Sequence, residues 1–168
     1  MLPRIAFLLF GLIASSTTIR AASPTVEFTR IRQEFRTEDS FKRISEYFTG
    51  VENSGNRLVL RTRADDRDGL YFAFRIRTTV GQPLPAGTLV VFYFPPGGFE
   101  PVERRFPLET QSRKSMEVLV GLTGADWSDP DVLPAAWKLE YLDANGQSLG
   151  SELSFLWELP DEDSGPSE

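Results

Sequence analysis

Leu70-Tyr71-Phe72-Ala73-Phe74-Arg75-Ile76-Arg77 carries the clearest alternation in the chain. In an extended chain Leu70, Phe72, Phe74 and Ile76 share one face, while Tyr71, Ala73, Arg75 and Arg77 share the other. Strict alternation of this kind describes a strand with one dry face and one wet face, and the dry face demands a second apolar layer. Upstream, Arg57 to Arg63 puts Leu58 and Leu60 inward and Arg57, Arg61 and Arg63 outward. The intervening Ala64-Asp65-Asp66-Arg67-Asp68-Gly69 is rich in turn formers, so the two strands are expected to pair as a hairpin.

Downstream the same rhythm continues. Leu89 to Phe94 is continuously apolar, as a strand covered on both sides would be. It is followed by Pro95-Pro96-Gly97-Gly98 and then Val102 to Leu108, a second hairpin. Trp137, Leu139 and Tyr141 alternate up to Asp143-Ala144-Asn145-Gly146, and Leu149, Leu153, Phe155 and Trp157 resume the phase beyond it; Asn145-Gly146 supplies the positive-φ positions of a tight turn. At the front, Val26 and Phe28 occupy one phase and Ile31 and Phe35 the other, a slip that a β-bulge or a sheet switch accounts for. Residues 40–50 fit either period, and their strand neighbours favour a strand. Residues 121–136 read as a long crossover with one helical turn around Asp129 to Leu133.

About eight or nine strands with one long connection before a final hairpin predict an all-β fold, a single Greek-key β-sandwich. Its architecture resembles the immunoglobulin-like or fibronectin-III-like type, without the paired Cys and intervening Trp of true immunoglobulin domains. A membrane β-barrel is disfavoured, because Leu89 to Phe94 is too apolar on both faces to line a wet lumen.

The ends carry other signals. Met1 to Arg4, an apolar run from Ile5 to Ala14 and small residues up to Ala21-Ala22 form the three-part layout of a secretory signal peptide. That run is half the roughly 20 residues that span a bilayer. The expected organisation is a signal peptide over 1–22, a sandwich domain over 23–160 and a disordered acidic tail over 161–168. The expected destination is the periplasm or the cell exterior, with no transmembrane span in the mature chain.

The chain has 18 basic and 24 acidic residues; without Arg4 and Arg20 the balance is 16 to 24, a net charge of −8. Nucleic acid, which wants a positive surface, is therefore not an expected partner. The charge is uneven: residues 23–79 hold 11 basic and 9 acidic groups, whereas residues 80–168 hold 5 and 15.

With no His and no Cys, the chain has no Ser-His-Asp triad, no thiol nucleophile and no imidazole or thiolate metal site. Glycine-rich phosphate loops are also absent. Asp65-Asp66-Arg67-Asp68-Gly69 lacks the Asp at every second position and the closing Glu of a calcium loop; Asp126, Asp129 and Asp131, three acids within six residues of a loop, are the more suggestive set, but neither a metal nor another cofactor is expected. Trp137 and Trp157 fall in core phases, leaving Trp127, Tyr71 and Phe99 as the aromatics that a sugar could meet.

The candidate site is a basic row, Arg61, Arg63, Arg75 and Arg77, on the outer face of the expected hairpin. Like charges side by side on a sheet are unfavourable unless acids interleave with them or an acidic partner meets them. The expected function is that of an exported, non-enzymatic sandwich with a binding or structural role in or outside the envelope. Its partner would be an acidic exported protein or an anionic polysaccharide. The alternatives are a carbohydrate-binding module and a carboxylate-based glycoside hydrolase. If the leader reading is right, the protein recovered after export from a bacterium begins near Ser23 by N-terminal sequencing; an intact Met1 overturns it.

Overall fold

A computed structural model describes residues 25–79 and 81–157. The expected signal peptide over 1–22 and acidic tail over 161–168 lie outside these residues. The chain runs β1 (Val26–Arg36), α1 (Glu38–Phe41), α2 (Ile44–Thr49), β2 (Arg57–Arg61), β3 (Gly69–Thr78), β4 (Gly87–Tyr93), β5 (Val102–Leu108), β6 (Ser115–Thr123), β7 (Trp137–Asp143) and β8 (Ser148–Leu153). Two four-stranded sheets result, ordered β1-β3-β6-β2 and β5-β4-β7-β8. The chain crosses between sheets after β3, β5 and β6 and makes hairpins at β4-β5 and β7-β8, which is a Greek-key sandwich of immunoglobulin-like kind.

The alternation in β3 sets the inner layer. Leu70, Phe72, Phe74 and Ile76 are buried against Val118, Val120 and Leu122 of β6 on one side, and Leu89, Val91, Tyr93, Leu139 and Tyr141 of the opposing sheet on the other. Trp137 stands edge-on to Phe72 at 5.7 Å. Trp127 is buried edge-on to Tyr93 at 5.9 Å, and its indole N–H donates to the carbonyls of Asp129 and Val132. The Tyr141 hydroxyl donates to the Pro85 carbonyl at 2.6 Å, and burial pushes its pKa up to about 12. Gly146 closes the last hairpin at φ 80°.

Four expectations are corrected. First, β2 and β3 do not pair. β2 lies parallel to β6, and β6 lies between β2 and β3. The reason is length: β3 pairs over nine positions with β1 and nine with β6, whereas β2 has only five residues to offer. Thr123 fixes the ends of β2 and β6 together, its N–H donating to Thr62 Oγ1 and its Oγ1 accepting from the Arg63 N–H. Second, residues 40–50 form α1 and α2 rather than a strand. Gly50 ends α2 in the left-handed region at φ 66°, and its N–H donates to the Glu46 carbonyl. Third, the helical turn of the long crossover is a 3-10 turn at Gly124–Asp126, not at 129–133.

Fourth, β8 ends at Leu153. A register shift opposite Tyr141 and Leu142 changes the phase, so that Leu153 lies opposite Lys138 on the outer face. Phe155 is then exposed, and Trp157 packs on Phe92 and Phe94 from outside the core.

The wet face of β3 is also drier than its pattern implies. Tyr71 and Ala73 are buried with Leu119 in a small cluster on the outside of the first sheet, covered by Phe41 of α1. The Tyr71 ring lies against Gly121: a Cβ there would stand 2.5 Å from Tyr71 Cε1. Gly121→Ala is therefore expected to lower unfolding stability by about 1–3 kcal/mol in urea denaturation. An unchanged midpoint would show that Tyr71 can move aside.

Candidate functional site

The outer face of the first sheet is where the expected arginines lie, but the structure divides them. Arg61 ends β2 on the outer face, as expected, but is covered there rather than free: its guanidinium forks onto the Glu52 carboxylate at 2.5 and 2.9 Å, its Nε donates to the Tyr71 oxygen at 2.8 Å, and its carbon lies 5.0 Å from the centre of the Phe41 ring. Arg63 lies beyond β2, exposed. Arg75 and Arg77 stand two strands away, Arg75 paired with Glu117 at 3.3 Å and Arg77 with Glu27 at 2.6 Å. The four do not form a row.

Arg61 belongs to a clamp. Glu52 also faces Arg67 at 3.7 Å, and Arg67 holds Glu46 of α2 at 2.5 Å. The Tyr71 hydroxyl donates to the Arg67 carbonyl. Burial raises the Tyr71 pKa while the Arg61 hydrogen bond opposes it. These bonds bind the excursion between β1 and β2 to the sheet.

What the fold does assemble is a different arginine set. A cavity of roughly 530 Å³ opens on this face, with Ala73 and Leu119 as its floor and Arg30, Arg32, Arg36, Arg57 and Arg75 around it. The positions follow from register. Arg57, Glu117 and Arg75 are aligned across β2, β6 and β3, so one carboxylate serves two guanidiniums, at 3.7 and 3.3 Å. Arg32 lies opposite Ala73, whose methyl leaves the depression.

Arg36 is held by Glu34 and lies over the Phe41 ring at 5.5 Å. Arg30 and Arg32 are exposed, and among the described residues neither forms an ion pair. Arg30 is the bulge residue that the phase slip at the front of the chain implied. Its φ of 58° is the one positive value among described non-glycine residues, an uncommon conformation for a long side chain.

The other candidates are committed elsewhere. Asp126 pairs with Arg104 at 2.7 Å, which holds its carboxyl below the usual range, and Asp129 accepts the Asp131 N–H at 3.0 Å. Asp68 accepts the Glu38 N–H. Among the described residues no three potential ligands are grouped to hold a metal ion, and no helix is long and apolar enough to cross a membrane. Of the aromatics offered to a sugar, Tyr71 and Trp127 are buried and only Phe99 stands free, at 96% exposure.

The architecture defines an immunoglobulin-like β-sandwich. A solved immunoglobulin-like protein from Pseudomonas aeruginosa is similar at 13% identity and a TM-score of 0.36, over 79% of this chain and 94% of that one. No family model and no curated protein matches the chain.

The clamp gives a pH dependence with a definite sign. The Arg61 hydrogen bonds lower the Glu52 pKa from 4.5. A carboxyl depressed on folding contributes its stability above its unfolded pKa and loses it as pH falls through the folded value. Stability should therefore fall between about pH 5 and pH 3, and Glu52→Gln should reduce that slope in denaturant titrations. A variant with the wild-type slope would place the acid sensitivity elsewhere.

Proposed function

We propose that this protein is an exported, non-enzymatic binding module whose arginine groove, on the outside of the first sheet, receives an anionic partner. The observation that carries the reading is the convergence of five guanidiniums on one depression. Among the described residues Glu117 is the only acid lining it, in a chain whose formal net charge is −6. Arginine is suited to this task, since its planar fork binds carboxylate, sulfate or phosphate in pairs of hydrogen bonds. Export is supported by the leader pattern, and a non-enzymatic role by the lack of His and Cys. A single carboxylate at the groove also lacks the facing pair that a glycoside hydrolase uses.

The test separates available arginines from structural ones. Charge reversal at Arg30 and Arg32 should leave stability within about 1 kcal/mol, as surface changes generally do. Binding of a polyglutamate probe should drop by about tenfold or more, and the wild-type interaction should weaken as salt rises. Arg61→Glu should instead cost about 3 kcal/mol of stability, because it sets two carboxylates against each other in the clamp. If the probe binds the Arg30/Arg32 reversal as well as wild type, the groove is a solvated face.

A further inference from the structure

Beside the groove, α2 and the turn after it present an apolar face that nothing in the chain's described residues covers. Ile44, Tyr47 and Phe48 are exposed at 79, 76 and 85%, and their spacing puts them on one side of α2; Val51, 67% exposed, follows just past the Gly50 cap. Single exposed apolar residues are ordinary, but four adjacent ones mark a contact surface. The clamp keeps this knob in place: Glu46, within α2, is fixed by Arg67, and Gly50 caps the helix.

The segment that leads into the knob reaches the edge of the groove. Phe41 of α1 contacts Arg36 of the groove, and the Arg43 guanidinium, just before α2, lies against Gly55, two residues before Arg57. Building on the groove reading above, we infer that its partner is an acidic polypeptide segment with interspersed apolar side chains, its carboxylates in the groove and its apolar residues on the knob.

The chemistry favours this occupant over the others. A polyanionic glycan satisfies arginines but has no use for Ile44 or Val51. An anionic bilayer would take the knob, but the charges around it are wrong for that surface. Lys42 is neutralised by Glu38 and Asp39, and Glu46 and Glu52 are paired with Arg67 and Arg61, so that Arg43 is the one cation beside the helix without an ion pair among the described residues. A membrane-seeking knob is ringed by free Lys and Arg instead.

The experiment titrates the full chain with two short peptides of equal charge, one alternating Glu with Leu and the other Glu with Ser. Polygalacturonate and phosphatidylglycerol-containing vesicles are run in parallel. The Glu-Leu peptide should bind about tenfold tighter, equivalent to about 1.4 kcal/mol. Ile44→Ser with Phe48→Ser should remove that advantage without changing the Glu-Ser affinity, and reversal of Arg30 and Arg32 should weaken both peptides.

Equal affinity for the two peptides overturns the inference. So does tighter binding to polygalacturonate, vesicle binding that depends on Phe48, or self-association that the Ile44/Phe48 variant abolishes. Failure of the groove reading looks different: the Arg30/Arg32 reversal would then bind both peptides as wild type does.

Discussion

Tyr71 carries a full aromatic ring on the face of its sheet that a half-wet sandwich leaves to water, and the outside of the molecule is arranged around it. The ring is covered below by the bare backbone of Gly121 and above by Phe41, whose ring centre is 4.8 Å away. Its hydroxyl is buried too, so it must find partners or cost about 1–3 kcal/mol; Arg61 and the Arg67 carbonyl supply them. Each partner brings its own requirement. Arg61 reaches the phenol only because β2 lies beside β6, and a guanidinium drawn into this cluster needs Glu52 to return against it. The excursion from Thr37 to Asn56 is therefore held by one phenol and the charges that satisfy it.

This division of labour explains how the first sheet carries so many arginines without flying apart. Arg61 and Arg67 are spent inside the clamp, each against carboxylates that came with the excursion. Arg57 and Arg75 share Glu117, whose place on the central β6 lets one negative charge face two strands at once. Arg30 and Arg32 are left to solvent. Coulomb repulsion among exposed guanidiniums is weak in water at ordinary salt, so the arrangement is tolerable unoccupied and becomes favourable when an anion excludes that water.

The sandwich was legible in the sequence because its core is written in period-two patterns: the inner face of β3, the β4-β5 hairpin and the Asn145-Gly146 turn all stand as their residues imply. What period alone does not encode is pairing. Arg57 to Arg63 and Leu70 to Arg77 look like hairpin arms because they are adjacent in sequence, whereas the backbone of β3 is satisfied by two longer strands from elsewhere. That single error displaced the candidate site. The hairpin reading sets Arg61 and Arg75 side by side when β6 separates them, and it leaves out Arg57, which faces Arg75 across Glu117. The end of β8 failed for a related reason, since a register shift reverses which face every later residue takes.

The bulge in β1 was visible as a phase slip, yet its consequence was not, and it bears most directly on the site. Thr29 lies opposite Arg75 and Arg32 opposite Ala73, so Arg30 and Ile31 together face the one intervening residue, Phe74. Ile31 keeps the inner phase and packs on the core. Arg30 is thus the extra residue, an outward cation added to the rim without removing an apolar side chain from the interior. A left-handed non-glycine costs of order 1 kcal/mol, and Gly or Asn would hold the same conformation for less. An arginine there adds nothing to the core and places a further guanidinium, unpaired among the described residues, beside Arg32 and Arg75 at the mouth of the groove.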